Sequence, residues 1–312
     1  MRDTAAELVL AARAEKLDIE QNVPLAPLTT FRIGGNAAAL IATRSPDEMA
    51  RAVRLAVSAG VPWTVLGGGS NLLAPDAGFP GLVVLASAGR IRIEGCDVEA
   101  EAGAPTHRLA VSAAWAGVAG LGFAAGIPGT IGGAVVGNAG AWGRAMGDVV
   151  ISARVVRAGS LETVELGRSA LAFDYRSSAL QAAGDVVLSV RFALEMGDRL
   201  VLLREIDEIV AKRAARLPLL PSAGSFFRNL PPAHPGEPRR SAGKLLDEAG
   251  SKGLRVGDAA VWDGHANTIV NLGHARCHDV LALAAEMERR VYERFGERLE
   301  REVRVLGAPP NR

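Results

Sequence analysis

Residues 109–143 form a run of 35 positions without a single Asp, Glu, Lys, Arg or His, and ten of them are glycine. An uncharged run of that length meets the length requirement for a membrane span. Each glycine, however, costs a continuous helix about 1 kcal/mol relative to alanine, and Pro128 about 3 kcal/mol. Buried, irregular backbone is therefore expected, not a helix through a bilayer. Such backbone has a use, because main chain without side chains in the way can approach a large ligand and offer its own N–H groups.

The remainder of the 312 residues is ordinary globular sequence, long enough for two or three domains. Thirty-five Lys+Arg against 34 Asp+Glu leave a net charge of +1, so the broad basic footprint of a duplex-binding protein is missing and no nucleic-acid partner is expected. Hydrophobic residues at 49% and charged residues at 22% exclude wholesale disorder. The two cysteines, Cys96 and Cys277, fit a reducing compartment, not a disulfide scaffold. Asp3, Glu7, Arg13, Glu15 and Lys16 interrupt the N-terminal stretch, which reads as an amphipathic helix of a cytoplasmic protein; Thr4 and Glu7 stand at capping-box spacing.

Punctuation and periodicity divide the chain further. Ser45-Pro46-Asp47-Glu48 supplies an N-cap, an N1 proline and first-turn acids, which predicts a helix over 46–59 ended by Gly60. A strand over 61–66 runs into Gly67-Gly68-Gly69-Ser70-Asn71. Residues 91–94 and 97–101 read as a hairpin, 106–117 as a helix, and 149–157, 161–166 and 185–194 as strands. Helical patterning returns at 201–216, after which Pro218 and Pro221 open a Pro/Ser/Gly/Arg-rich stretch, so a boundary is placed near 200. Beyond it a helix at 241–249, a strand at 266–272, a helix at 277–296 and a short strand at 302–306 make the fold class α+β.

Several chemistries fall away. None of the four lysines precedes Ser or Thr, so there is no P-loop; Leu72 stands where a G-x-G-x-x-G fingerprint needs its last glycine. His274, Cys277 and His278 would share a helical face, but three ligands beside Arg276 read as a helix-start surface, and no metal is expected. Two glycine segments remain, residues 67–73 and 126–134, the second followed by Asn138-Ala139-Gly140-Ala141-Trp142-Gly143. Successive N–H groups in such turns form nests that hold a pyrophosphate without a lysine.

With these two segments the sequence resembles the UDP-N-acetylenolpyruvoylglucosamine reductase (MurB) family over about 24–307. The resemblance is carried also by Thr29-Thr30-Phe31-Arg32-Ile33-Gly34-Gly35, Phe173-Asp174-Tyr175-Arg176-Ser177-Ser178, Ala223-Gly224-Ser225-Phe226-Phe227-Arg228-Asn229, Ser241-Ala242-Gly243-Lys244-Leu245-Leu246, His265-Ala266-Asn267-Thr268-Ile269-Val270-Asn271 and Glu302-Val303-Arg304-Val305-Leu306-Gly307. It implies a PCMH-type FAD-binding domain over 24–199 (lobes about 24–88 and 89–199) after an N-terminal helix and lead-in at 1–23. A smaller α+β substrate-binding domain follows over 200–307, with a tail at 308–312. It implies non-covalent FAD, reduced by NADPH, that passes hydride from flavin N5 to UDP-N-acetylglucosamine enolpyruvate, giving UDP-N-acetylmuramate for peptidoglycan synthesis, cell-wall biogenesis, cell shape and division. The protein would be a cytoplasmic monomer with a small-molecule substrate and no membrane partner.

Residue by residue, the resemblance implies that Ser225 gives the proton, Arg176 stabilises the carboxylate that gains charge, and Glu302 acts as a neutral acid kept protonated by burial and neighbouring negative charge. FAD would meet Arg32, Gly34, Gly35, Gly67, Gly68, Gly69, Ser70, Asn71, Leu72, Gly126, Ile127, Pro128, Gly129, Thr130, Gly132, Gly133, Ala134, Asn138, Ala139 and Gly140. Substrate would meet Tyr175, Arg213, Phe226, Asn229, Lys244, His265 and Asn267. The short spacing from Arg176 to Ser225 resembles the family branch without the extra tyrosine-bearing loop; Leu230 and Ser251 depart from the family pattern, where Pro and Leu are usual. Two other readings compete: a different PCMH-type FAD oxidoreductase that returns electrons to oxygen, and a non-enzymatic module that binds a sugar nucleotide.

Overall fold

Local rules account for most elements of the computed structural model, which describes residues 4–307. Ser45 Oγ accepts the Glu48 N–H at 3.1 Å and Pro46 occupies the first turn of helix Pro46–Ser58, which buries Met49, Ala50, Ala52, Val53, Leu55 and Ala56. Apolar residues at that spacing line one face of a helix, each large one contributing about 1.5–3 kcal/mol when fully buried. The helix Thr4–Ala14 is also present; the side chain of Thr4, and with it the expected capping box, lies outside the described residues.

The chain packs as two units, residues 1–21, 39–68 and 81–215 in the first and 22–38, 69–80 and 216–312 in the second. This corrects the contiguous division at residue 200. Helix Arg199–Ala214 belongs to the first unit, where Ile206 is buried, and two early segments belong to the second.

In the first unit an antiparallel sheet has the order Thr163–Gly167, Val150–Val156, Val186–Ala193, Asp97–Glu101, Ile91–Glu94. Its hairpin 91–101 turns at Gly95 (φ 58°). A parallel pair runs from Trp63↔Leu82 to Leu66↔Leu85. The uncharged segment is irregular, as expected: helix Thr106–Trp115, a 3-10 turn Gly122–Ala124, the short helix Ile131–Val136 and a hairpin of Gly140–Ala141 with Arg144–Ala145. Leu109, Ala113, Leu121, Ile131 and Val135 carry it into the core beside Val98, Val155 and Phe192.

The second unit has an antiparallel sheet in the order Ser222–Ser225, Thr268–Asn271, Ala259–Val261, Arg255–Val256. Helix Cys277–Phe295 buries Cys277, Val280, Leu283, Ala284, Met287 and Val291 in its core. Phe226 and Phe227 meet edge to face there, centroids 5.2 Å apart. The early segments join through Phe31, Ile33 and Leu73 in the same core, and through a parallel pairing of Leu72–Leu73 with Arg304–Val305. Among the described residues no helix is long and apolar enough to cross a membrane.

Candidate active site

In the first unit the two glycine segments press against each other. A Cβ on Gly67 would stand 2.3 Å from Thr130 Oγ1, and one on Gly68 2.7 Å from Gly129 Cα, so only glycine permits this approach. Thr106 N–H donates to Gly129 O (3.0 Å), Ile131 N–H to Ala104 O (2.9 Å) and Gly132 N–H to Ala102 O (2.8 Å), which fixes the second segment. The Gly68 and Gly129 N–H groups make no main-chain hydrogen bond among the described residues. Thr130 Oγ1 is buried with no partner among them, and Thr130 leaves the start of helix Ile131–Val136 without a side-chain cap. Buried polar groups are normally satisfied. An orphaned hydroxyl beside unused N–H groups is the neutral donor set that a dinucleotide pyrophosphate matches, so Gly67, Gly68, Gly129 and Thr130 fit FAD.

The rest of the second glycine segment is tied down. Gly126 N–H donates to His107 Nδ1 (3.1 Å) and Gly126 O accepts Arg213 Nε (3.1 Å), Ile127 N–H donates to Ala124 O (3.1 Å), and Ala139 N–H to Ala134 O (2.7 Å). Arg213 lies on helix Arg199–Ala214; burial, then the like charge of Arg176, lowers its guanidinium pKa. Two cations facing each other suit an anion. Arg176 itself sits in a two-residue turn closed by Asp174 N–H to Ser177 O (3.0 Å) and Ser177 N–H to Asp174 O (3.1 Å), with φ 52°. Its Nη1 donates to Gly140 O (3.3 Å) and its Cζ lies 5.8 Å from the Tyr175 ring centroid.

In the second unit Ser225 ends the strand Ser222–Ser225 opposite Thr268, exposed, after a bulge in which Gly224 takes φ 74°. The next two residues are locked: Phe226 N–H donates to Asn267 O, Phe227 N–H to Asn267 Oδ1, and Asn267 Nδ2 to Phe227 O, all at 2.8 Å. Glu302 N–H donates to Phe226 O at 2.7 Å, which brings the half-buried Glu302 to the strand that carries Ser225.

Three of the expected contact residues spend their side chains within the protein. Phe226 and Asn267, expected at substrate, are 1% and 2% exposed; Phe226 packs the core and the Asn267 amide is engaged with backbone, so both hold Ser225 in place. Asn71, expected at the flavin, donates Nδ2 to Glu302 O (3.1 Å), while its own carbonyl accepts Arg304 N–H (3.2 Å).

Other expected residues lie in the second unit, where Asn229, Lys244 and His265 gather about residues 242–244. Gly69 O accepts the Thr30 N–H (3.1 Å), Gly35 N–H donates to Pro75 O (2.9 Å), and Arg32 is exposed at φ 54°. Asn229 Oδ1 accepts Ala242 N–H (3.2 Å), and Lys244, exposed, lies 3.9 Å from Glu248. His265 packs its ring on Gly243, and burial, then Lys252, lowers its pKa against the opposing pull of Asp247. Sequence reasoning missed Asp76, whose carboxylate accepts the N–H groups of Cys277 (2.7 Å) and His278 (3.2 Å) and so caps the long helix. A cap about 200 positions away leaves no local signal.

The geometry agrees with the comparisons. Residues 215–306 match the model of the UDP-N-acetylenolpyruvoylglucosamine reductase C-terminal domain, and residues 37–166 that of an FAD binding domain. A protein of Desulforamulus reducens named UDP-N-acetylenolpyruvoylglucosamine reductase is 41% identical over 296 residues, 94% of this chain and 95% of that one. One of the same name from Synechococcus sp. is 42% identical over 93% and 92%. The crystal structure of UDP-N-acetylenolpyruvylglucosamine reductase (MurB) from Thermus caldophilus superposes with a TM-score of 0.76 at 37% identity, covering 93% of this chain and 99% of that one. The chain belongs to the UDP-N-acetylenolpyruvoylglucosamine reductase family.

Proposed function

We propose that this chain is an FAD-containing, NADPH-dependent reductase that converts UDP-N-acetylglucosamine enolpyruvate to UDP-N-acetylmuramate, a step of peptidoglycan precursor synthesis. When bound, FAD supplies the hydride, taken from NADPH and delivered from N5 to the methylene carbon of the enolpyruvyl ether. Gly67, Gly68, Gly129 and Thr130 hold its pyrophosphate. Hydride addition leaves the neighbouring carbon of the substrate as a carbanion conjugated with the carboxylate. Ser225 gives that carbon a proton; a hydroxyl is a weak acid, adequate only for so basic a partner, and such help is worth about 10²–10⁴-fold. Arg176 meets the carboxylate as its charge grows, a permanently cationic fork matched to two oxygens. Glu302, in its protonated form, donates a hydrogen bond to the same developing charge.

The observation that carries this reading is the placing of Ser225. An exposed hydroxyl stands at a strand end whose next two residues are fixed by Asn267 and whose neighbouring chain carries Glu302. A module that only binds a nucleotide has no need of it. The test is Ser225→Ala, followed anaerobically by flavin absorbance. Bleaching by NADPH at the parent rate, with recovery on adding the enolpyruvyl nucleotide slowed at least about 10²-fold, is the expected result. Recovery at the parent rate would remove Ser225 as proton donor, and a protein whose bleaching is reversed by air but not by the nucleotide would be an oxidase.

A further inference from the structure

The side chain of Asn138 is engaged within the protein at both its nitrogen and its oxygen. It is 8% exposed, its Nδ2 donates to Asp174 O at 2.8 Å, and its Oδ1 accepts the Gly147 N–H at 2.9 Å. Asp174 is the first residue of the turn that presents Arg176, and its N–H and C=O close that turn against Ser177. Gly140, two residues beyond Asn138, offers its carbonyl to Arg176 Nη1 at 3.3 Å. Asn138 and Arg176 both lie in the left-handed region, φ 42° and 52°. Asparagine tolerates that region better than most residues, whereas arginine is held there against its preference. Backbone held in such a conformation persists only where its surroundings over-determine it.

We infer that Asn138 is a positioning residue for Arg176, acting through the Asp174 carbonyl. The inference rests on the role proposed above for Arg176. A guanidinium works in the transition state only where it stands at the right distance, and a misplacement of about 1 Å costs on the order of 10²-fold. Loss of the clamp must then slow the half-reaction that builds charge on the substrate carboxylate and spare the one that loads hydride.

Asn138→Gly tests this, because glycine keeps the left-handed backbone and removes both hydrogen bonds. The expected result is flavin reduction by NADPH within about twofold of the parent and reoxidation by UDP-N-acetylglucosamine enolpyruvate slowed about tenfold to a hundredfold. In an Arg176→Lys background the same substitution should add less than about twofold, since its effect travels through the guanidinium. Asn138→Asp, which keeps the acceptor for Gly147 and removes the donor to Asp174, must show the same split; it also serves if Asn138→Gly fails to load FAD. Melting of the FAD-free variants separates general damage from misplacement. Equal slowing of both half-reactions, or additive effects with Arg176→Lys, would overturn the inference. Full activity of Arg176→Lys alone would instead strike the role of Arg176, and the inference with it.

Discussion

Each unit holds one of the side chains to which the proposal gives a catalytic role on a backbone bonded by a buried asparagine, but the two do so differently. Asn267 bonds both the N–H and the C=O of a single residue, Phe227, and works as an added rung of the sheet beside Ser225. Asn138 bridges two separate segments, at Asp174 and Gly147, and holds a turn together. The unfavourable conformation is also placed differently. Before Ser225 it falls on Gly224 at φ 74°, where it costs little, whereas in the turn it falls on Arg176 itself at φ 52°. The strand end is relaxed around its functional residue; the turn is strained at it. A proton donor needs a clear line to one atom, whereas a forked cation must meet two oxygens in a fixed plane, and a turn that cannot relax supplies that.

The largest expected effect is on the strained side. Arg176→Gly should slow flavin reoxidation by the enolpyruvyl substrate by about 10²–10³-fold, the usual loss when a donor to developing negative charge is removed. Arg176→Gly should also melt above Arg176→Ala, which loses the same side-chain contacts but keeps a left-handed side-chain residue, by up to about 1 kcal/mol. Stopped-flow reoxidation and a pair of melting curves check both halves, and equal midpoints for the Gly and Ala variants would show the turn unstrained.

On the relaxed side stability should respond first. Asn267→Leu keeps the volume but leaves the N–H and C=O of Phe227 without the Asn267 amide, a loss of about 3 kcal/mol, read from a denaturant midpoint. A shift under about 1 kcal/mol would mean that the rung is dispensable. Smaller still is Gly224→Ala. A Cβ there meets nothing within 4 Å, so the cost is conformational, about 1–2 kcal/mol. This substitution puts a strained left-handed residue directly before Ser225, and its reoxidation rate tells whether strain there helps or hinders proton delivery.

How much of this was legible in the sequence follows from where each signal lies. Helix Pro46–Ser58 and the hairpin 91–101 were plain because Ser45, Pro46 and the alternating runs 91–94 and 97–101 sit at or within the elements they shape. The irregular character of 109–143 followed from its glycines in the same way. The discontinuous units were hidden, since Leu72–Leu73 finds its partner at Arg304–Val305 by a two-residue pairing with no periodicity of its own. Among the candidate residues, Ser225, Arg176 and Glu302 stand in recognisable motifs, whereas nothing in the sequence tells that the side chains of Asn71, Asn138 and Asn267 bond backbone groups. An asparagine that serves backbone carries the same letter as one that serves a ligand, and its partner is a peptide group common to every residue.

The smallest effect concerns pH, and it too separates the two clamps. His265 Nδ1 accepts the Asn267 N–H at 3.2 Å, an interaction available only to an unprotonated Nδ1. Burial against Gly243, then the charge of Lys252, lowers its pKa below the ordinary histidine value, while Asp247 pulls the other way. A group with a folded pKa lower than its unfolded one takes up protons more readily in the unfolded chain, so its contribution is complete above about pH 6.5 and fades as pH falls through the folded value. Asn138 bonds only a carbonyl and an amide N–H, neither of which titrates. His265→Asn sets an acceptor that does not titrate in place of Nδ1, so melting midpoints of parent and variant should run parallel above about pH 6.5 and separate below it, the parent falling faster. His265 is only part-buried, solvent screens it, and the separation should therefore be slight. Curves parallel down to pH 5 would free the Asn267 clamp from pH and leave the two units alike in that respect.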